Sequence, residues 1–265
     1  MSVEFRPAAA DTGIVFVRGD LERPVRIAAT PHNRIETPRR TTLADGGATV
    51  EMVEHILAAL AGLRIDNCEV WVDRPEMPGC DGSSLPFIAA LQEAGVVTQS
   101  SWRTQLVVTE ITRVGNEESW VEARPTRTAG MSLHCRLDYG TGNAIGRQAI
   151  QLPVTPETFV RELAPARTFI LQPEAEWLRS RGLGARATYR DLLVFGEHGP
   201  LDNELRFPDE CVRHKALDLI GDLALAGCDL VGQFVAHRSG HRLNFELVRV
   251  LLAEGQRIHG RRKSA

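Results

Sequence analysis

Hydrophobic and polar positions alternate along residues 209–226 with the period of an α-helix. When successive residues are placed about 100° apart, the polar His214, Asp218 and Asp222 fall on one side, each four positions from the next. The pattern predicts an amphipathic helix with an imidazole and two carboxylates in a row. The apolar residues fall on the other side: Val212, Ala216, Leu219, Ile220, Leu223 and Ala224.

This polar stripe has two interpretations. The ordinary one is the solvated face of a surface helix, which most amphipathic helices present to water. The other is a metal site, because histidine and aspartate one turn apart can hold two corners of a tetrahedron around zinc. A catalytic zinc usually has three protein ligands. The second interpretation therefore needs a third ligand and a general base from elsewhere in the chain.

The first hundred residues show the patterns of strands, two helices and a turn-rich loop. Strands are predicted within residues 1–30 around a turn at 10–13, and an irregular, exposed connection over 31–49. The predicted elements that follow are a helix over 52–62, a strand over Cys68–Val72, a loop containing PEMPGCDGSS and a helix over 84–95.

After a seam at residues 98–103 the pattern restarts. Strands are predicted at 106–113, 120–124, 131–138, 192–195 and 230–237, and helices at 156–163, 173–181, 209–226 and 243–253. The polar, basic residues from 255 onward are expected to fray. Each half thus carries strands and helices of similar plan, which predicts an α+β fold with two domains, residues 1–97 and 104–265, that meet at a cleft.

Composition and charge exclude several classes of protein. The chain has 265 residues, 43% hydrophobic and 25% charged, with a net charge of −3, so nothing favours general disorder or nucleic acid as a partner. No apolar run reaches the length of a membrane span, and the first residues lack a signal-peptide pattern. The five cysteines lack CxxC spacing, which favours free thiols in a reducing cytoplasm.

Glu54 and His55 are the candidates for the missing base and third ligand. Neighbouring helical side chains diverge, but both can reach one cleft if the end of the helix points into it. His55 would then complete a set with His214 and Asp218, and Glu54 would lie beside the attacking water as general base. The ordinary alternative is a capping or solvent-facing pair.

Four other residues could take part in the same chemistry. His241 follows a glycine-containing turn and could act as a general acid, with Asp222 orienting its ring. Lys215 and Thr168 could stabilise an oxyanion. Three of them also have an ordinary interpretation: His241 as a loop histidine, Lys215 as a solvated lysine and Thr168 as a strand threonine. The loop PEMPGCDGSS is interpreted as a structural corner that supports the Glu54–His55 helix.

Taken in order, these segments resemble one family. VEHILAALAGLRIDN, PEMPGCDGSS, ARTF, FPDECVRHKALDLIGDL and SGHRLN are similar to motifs of the zinc-dependent UDP-3-O-acyl-N-acetylglucosamine deacetylases, the LpxC family of lipid A biosynthesis in Gram-negative bacteria. The similarity covers nearly the whole chain and is densest at 50–90 and 160–250. Five ordered motifs are far more specific than one pair of ligands.

The resemblance implies two α+β domains with helices packed between the sheets, and an insert near 169–195. It implies hydrolysis of the N-acetyl group of an acylated UDP-amino sugar by a cytoplasmic, monomeric enzyme. Zinc, or alternatively Fe²⁺, would be held by His55, His214 and Asp218. The other implied roles are Glu54 as base, His241 as acid, Asp222 as its support, Lys215 and Thr168 at the oxyanion, and Phe169, Lys215 and Arg186 at the substrate.

Three departures from the family pattern concern the substrate. Members usually begin with a further strand and a GxGLHTG turn, so the first sheet is expected to lack a strand here. The connection at 31–49 is shorter than usual. Arg186–Ala187 stands where a Gly-Gly pair is expected, and the long cation is expected to narrow the passage for the acyl chain.

Two alternatives to the acylated substrate stay open at this stage. One is a related deacetylase that acts on a different N-acetyl sugar without a long acyl chain. The other is a metal-binding homologue with little turnover.

Overall fold

The first half of the chain is built on a four-stranded sheet. The computed structural model describes residues 1–182, 188, 189 and 191–254, and the backbone of 256–263. The central strand β7 pairs antiparallel with β1 and parallel with β2, and the sheet order is β1-β7-β2-β3. The bounds of these strands are Val3–Pro7 for β1, Ile14–Arg18 for β2, Val25–Ala28 for β3 and Cys68–Val72 for β7.

The prediction of an irregular, exposed connection at 31–49 is wrong. Three short strands form a sheet there: β4 (Arg34–Ile35), β5 (Thr42–Asp45) and β6 (Ala48–Glu51). Gly46 and Gly47 both have positive φ, at 55° and 78°, as a tight hairpin turn requires. The hairpin buries Thr42, Leu43 and Val50, so this segment belongs to the core.

The second half carries a seven-stranded sheet. Its main path is β12-β11-β15-β10-β9, and β8 pairs with both β15 and β16. The strand β15 is central, parallel to β11 and antiparallel to β10. The bounds are Trp102–Val107 for β8, Thr112–Gly115 for β9, Trp120–Arg124 for β10, Met131–Asp138 for β11, Arg147–Val154 for β12, Asp229–His237 for β15 and Gln256–Lys263 for β16.

One strand prediction and the prediction of a frayed tail fail in this half. Residues 106–113 do not form one strand, because the chain leaves β8 after Val107 and starts β9 at Thr112. The predicted frayed tail is wrong for residues 256–263, because β16 pairs antiparallel with β8 there. The strand β12 was not predicted.

The helices form the layer between these sheets, which confirms the predicted α+β fold. Helix α1 packs against α5, and α5 and α6 lie on strands of the large sheet. Gly221 allows the closest approach, since a Cβ built on it would lie 2.1 Å from the carbonyl oxygen of Glu54. The bounds are Glu54–Gly62 for α1, Leu85–Ala94 for α2, Pro156–Thr158 for α3, Gln172–Ser180 for α4, Glu210–Leu223 for α5 and His241–Glu254 for α6.

The segment near 169–195 forms a small unit beside the large sheet. A π-helical turn, Phe159–Leu163, continues α3, and β13 (Phe169–Leu171) then pairs parallel with β14 (Leu193–Phe195) around α4. Arg186 lies outside the described residues. Where the chain is described, no helix has the length and apolarity that crossing a bilayer requires. The domain bounds at 97 and 104 stay a prediction.

Candidate metal and catalytic centre

Three potential metal ligands converge where α1 crosses α5. One ligand atom from each of His55, His214 and Asp218 lies within 4.8 Å of the others. The Oδ1 atom of Asp218 is 3.4 Å from Nε2 of His214 and 3.7 Å from Nε2 of His55. All three side chains are buried, so the interpretation of the stripe as a solvated face is wrong. Such a group can hold a metal ion.

The surroundings of His214 keep the ring neutral and fix its orientation. Burial lowers the pKa of His214 to about 3, against a smaller opposing effect from Asp218. Its Nδ1 atom lies 3.2 Å from the carbonyl oxygen of Ala166, to which a protonated Nδ1 donates. Nε2 is then left with its lone pair toward Asp218, as a metal ligand requires.

Asp218 is held as a carboxylate with one oxygen available. Burial alone would raise its pKa, but His214, Lys215 and His55 together hold the pKa well below its usual range. Lys215 Nζ donates to Oδ2 at 2.9 Å, which leaves Oδ1 facing the two imidazoles. Burial alone would lower the pKa of the partly buried Lys215, but Asp218 raises that pKa, so the ammonium charge of Lys215 lies beside the centre.

Glu54 lies beside the three potential ligands with one oxygen anchored. The backbone N–H of Thr41 donates to Oε2 at 3.0 Å. The other oxygen, Oε1, is 4.0 Å from Nε2 of His241. Burial raises the pKa of Glu54, against smaller effects from His241 and His55, which makes the carboxylate a better proton acceptor.

His241 is held by a carboxylate behind its ring. Its Nδ1 atom lies 2.9 Å from Oδ2 of Asp222, which is 1% exposed. Burial lowers the pKa of His241, but Asp222 and Glu54 outweigh it and raise that pKa to about 10. The imidazole is therefore protonated near neutral pH, with Nε2–H directed toward Glu54.

Thr168 and Phe169 lie at the edge of the centre, on the approach to β13. The hydroxyl of Thr168 donates to the carbonyl oxygen of Gly82 at 3.1 Å. The ring of Phe169 lies 6.2 Å from that of His214 and 5.7 Å from Nζ of Lys215. Phe169 places an aromatic wall next to the ammonium of Lys215, while the hydroxyl proton of Thr168 is directed to Gly82.

The loop PEMPGCDGSS contacts α1, as its interpretation as a supporting corner predicts. Ser84 Oγ donates to the carbonyl oxygen of His55 at 2.9 Å, and both groups are buried. Asp81 accepts from Ser83 Oγ at 2.7 Å and from Arg206 at 2.7 Å, which ties the corner to the second half of the chain. The loop thus fixes the backbone that carries His55, the third potential ligand.

Sequence reasoning missed two residues of the centre. The hydroxyl of Thr41 donates to Oδ1 of Asp222 at 2.6 Å, and Asn244 Nδ2 donates to Oδ2 at 2.8 Å. Thr41 lies within residues 31–49, where the sequence predicts an exposed connection, so the pattern gives no signal for it. Asn244 stands three residues after His241, on the same face of α6, and that spacing is a signal that could have found it.

Comparisons with known proteins identify the family of the chain. The family model described as UDP-3-O-acyl N-acetylglycosamine deacetylase, LpxC, matches residues 1–253. A UDP-3-O-acyl-N-acetylglucosamine deacetylase of Geobacter sp. strain M21 is 40% identical over 253 residues, covering 95% of this chain and 82% of the relative. Proteins of the same name from Brucella ovis and Shewanella sp. strain W3-18-1 are 40% and 37% identical, covering 96% of this chain and 88% and 83% of the relatives. The chain therefore belongs to the UDP-3-O-acyl N-acetylglycosamine deacetylase family.

Proposed function

We propose that this protein hydrolyses the N-acetyl group of UDP-3-O-acyl-N-acetylglucosamine and releases acetate, a step of lipid A biosynthesis. The observation that carries the proposal is the convergence of His55, His214 and Asp218 within 4.8 Å, with Glu54 and His241 beside them. The names of relatives at 37–40% identity over most of the chain support the substrate.

We propose zinc as the metal. Two imidazole nitrogens and one carboxylate oxygen are the donors of many catalytic zinc sites, which keep a fourth position open. The donor set fits in detail, because His214 has its Nδ1 on a backbone carbonyl and Asp218 has Oδ2 on Lys215. Two histidines and a carboxylate also suit Fe²⁺, so both metals belong in the test.

The roles proposed for the side chains follow from their positions. A zinc ion bound to these ligands would lower the pKa of a water molecule and polarise the acetamide carbonyl. Glu54 accepts the proton of the attacking water through Oε1, because Oε2 is held by Thr41. The ammonium of Lys215 stabilises the negative charge that develops on the carbonyl oxygen, and the hydroxyl of Thr168 joins it by turning away from the carbonyl oxygen of Gly82.

Proton delivery to the leaving amine is assigned to His241. Its Nε2–H faces Glu54, and Asp222 holds the opposite nitrogen, so the ring can give up a proton and stay oriented. Phe169 is proposed to contact the sugar beside Lys215. Arg186 is proposed to limit the acyl chain from the insert.

We further propose a cytoplasmic, monomeric enzyme. All five cysteines are free thiols, including the exposed Cys80, as expected in a reducing compartment. Light scattering on the purified protein tests the monomer.

The experiment is acetate release from UDP-3-O-acyl-N-acetylglucosamine by protein that is stripped of metal and reloaded with Zn²⁺ or Fe²⁺. Glu54→Gln is expected to keep its metal and lose about 10²- to 10⁴-fold in kcat, since it retains shape but not basicity. Glu51→Gln is the matched control, because Glu51 pairs with Arg40 at 2.9 Å instead of the centre.

Two outcomes would contradict the proposal. Full activity of Glu54→Gln would remove Glu54 from the role of base. Acetate release from UDP-N-acetylglucosamine, with none from the acylated sugar, would replace the substrate by a sugar without the acyl chain.

A further inference from the structure

Thr41 connects the two sides of the centre through its backbone and its side chain. Its carbonyl oxygen accepts from the backbone N–H of Val53 at 3.3 Å, just before α1 begins. Its own N–H donates to Oε2 of Glu54, and its hydroxyl donates to Oδ1 of Asp222. The residue is 1% exposed. One buried residue therefore contacts both carboxylates that flank the reacting groups.

The hydroxyl of Thr41 determines how the Asp222–His241 contact is made. It lies 2.6 Å from Oδ1 of Asp222 and 3.4 Å from Nδ1 of His241. A carboxylate only accepts, and a hydroxyl has a single proton, so that proton goes to the closer Asp222. Nδ1 of His241 must then supply its own proton to Oδ2, 2.9 Å away.

This arrangement fixes both the rotation of the Asp222 carboxylate and the direction of the imidazole. Asn244 donates to the same oxygen as His241, so Thr41 is the donor to Oδ1 among the described residues. Without it, Oδ1 would be a buried acceptor left unsatisfied, and the carboxylate would turn to find another donor. The ring that rests on Oδ2 would turn with it.

We propose that Thr41 is a positioning residue for His241, acting through Asp222 in the deacetylation assigned above. The inference rests on that proposed function. Thr41 does not contact the three potential metal ligands, so its loss is expected to change neither metal binding nor the affinity for substrate. Its loss is expected to lower kcat.

Thr41→Val tests this, because it removes the hydroxyl and keeps the shape and the N–H that anchors Glu54. We expect kcat to fall about 10- to 100-fold, with KM within about twofold of the wild type and the metal content unchanged. Thr41→Ser restores the hydroxyl and should recover most of the loss. Thr42→Val is the matched control, since Thr42 is equally buried but its hydroxyl bonds to Thr37.

A second measurement does not depend on turnover. In protein labelled with ¹⁵N-histidine, the Nδ1–H signal of His241 is identified by its loss in His241→Gln. Thr41→Val is expected to shift this signal and to speed the exchange of its proton with water. Thr41→Ser and Thr42→Val should leave the signal unchanged. If Thr41→Val does not fold, Thr41→Ala removes the same hydroxyl.

The two measurements separate the inference from the proposed function. A wild-type protein that folds, binds metal and releases no acetate refutes the deacetylation, and the histidine signal then decides the role of Thr41. An active wild type with unchanged kcat and an unchanged His241 signal in Thr41→Val would overturn the inference. A loss of kcat that Thr41→Ser does not restore would also overturn it.

Discussion

Replacing Gly221 by alanine tests whether the close contact of α1 with α5 sets the geometry of the centre. A Cβ there would lie 2.1 Å from the carbonyl oxygen of Glu54 and 2.9 Å from its carbonyl carbon, and real Cβ atoms essentially never come within 3.0 Å of such neighbours. The obstacle is backbone, so no side chain can rotate away. The helices must separate by roughly 1 Å, and Glu54 and His55 move with α1.

Two opposing contributions determine how much Gly221→Ala changes the free energy of unfolding. Alanine is favoured over glycine in a helix interior by about 1 kcal/mol. Overpacking a tight contact costs about 3 kcal/mol at the upper end of its usual range. The net loss is about 2 kcal/mol, which lowers Tm by roughly 4–8 °C in a protein of this size. A displacement of about 1 Å at reacting groups costs about 100-fold in kcat/KM.

The assays are thermal unfolding, chelator competition for the metal and acetate release, all on the same preparation. Gly142→Ala is the control, because Gly142 has no atom within 4 Å of a built Cβ and needs no positive φ. It should leave all three readouts at wild-type values. A Gly221→Ala protein with wild-type Tm, metal affinity and turnover would show that α1 and α5 are not in this contact.

Three further predictions concern charge and burial. The pKa of His241 is about 10 when folded against 6.5 unfolded, so its contribution to stability is complete below about pH 6.5 and is lost as the pH rises toward 10. Between pH 7 and 9, the free energy of unfolding of the metal-free wild type, measured with urea, should fall with rising pH. It should fall more steeply than that of His241→Gln, by about 1 kcal/mol per pH unit, and equal slopes would refute this. Glu210→Ala leaves the buried Arg167 without the carboxylate that lies 2.8 Å away. It should lower the free energy of unfolding, measured with denaturant, by about 3–5 kcal/mol, whereas replacing the exposed Glu157 should lower it less. Cys80 is the exposed cysteine among five, so a thiol reagent should modify one thiol quickly in native protein and none in Cys80→Ser, while fast reaction of a second thiol would contradict the burial.

The hydrophobic periodicity was sufficient to predict the long helices and strands. It was also sufficient to predict that potential ligands lie in a row along α5. The four-residue spacing of His214, Asp218 and Asp222 does not depend on tertiary structure, so the stripe was predictable. The surroundings of the stripe, water or protein, were not predictable, because they depend on α1, which lies about 150 positions earlier. The contact of α1 with α5 also decides whether His55 reaches Asp218.

Short strands escaped prediction for a different reason. The strands β4 to β6 have two to four residues each, too few for an alternating pattern, although Gly46 and Gly47 mark the hairpin. The eight-residue β12 does alternate, with Ile150, Leu152 and Val154 on its inner face, but Pro153 within the run argues against a strand except at the edge of a sheet, where β12 lies. Thr41 was missed with the hairpin, since its role comes from contacts to residues 13 and 181 positions away.

The potential metal ligands are divided between the two halves of the chain. His55 comes from α1 in the first half, and His214 and Asp218 come from α5 in the second. A metal ion that binds all three therefore binds only the docked arrangement, so metal binding and docking of the halves are thermodynamically linked. Free metal at about 1,000 times its Kd would stabilise docking by about 4 kcal/mol. Conversely, any change that loosens the seam between the halves lowers the affinity for metal by the same free energy, even when every ligand is intact.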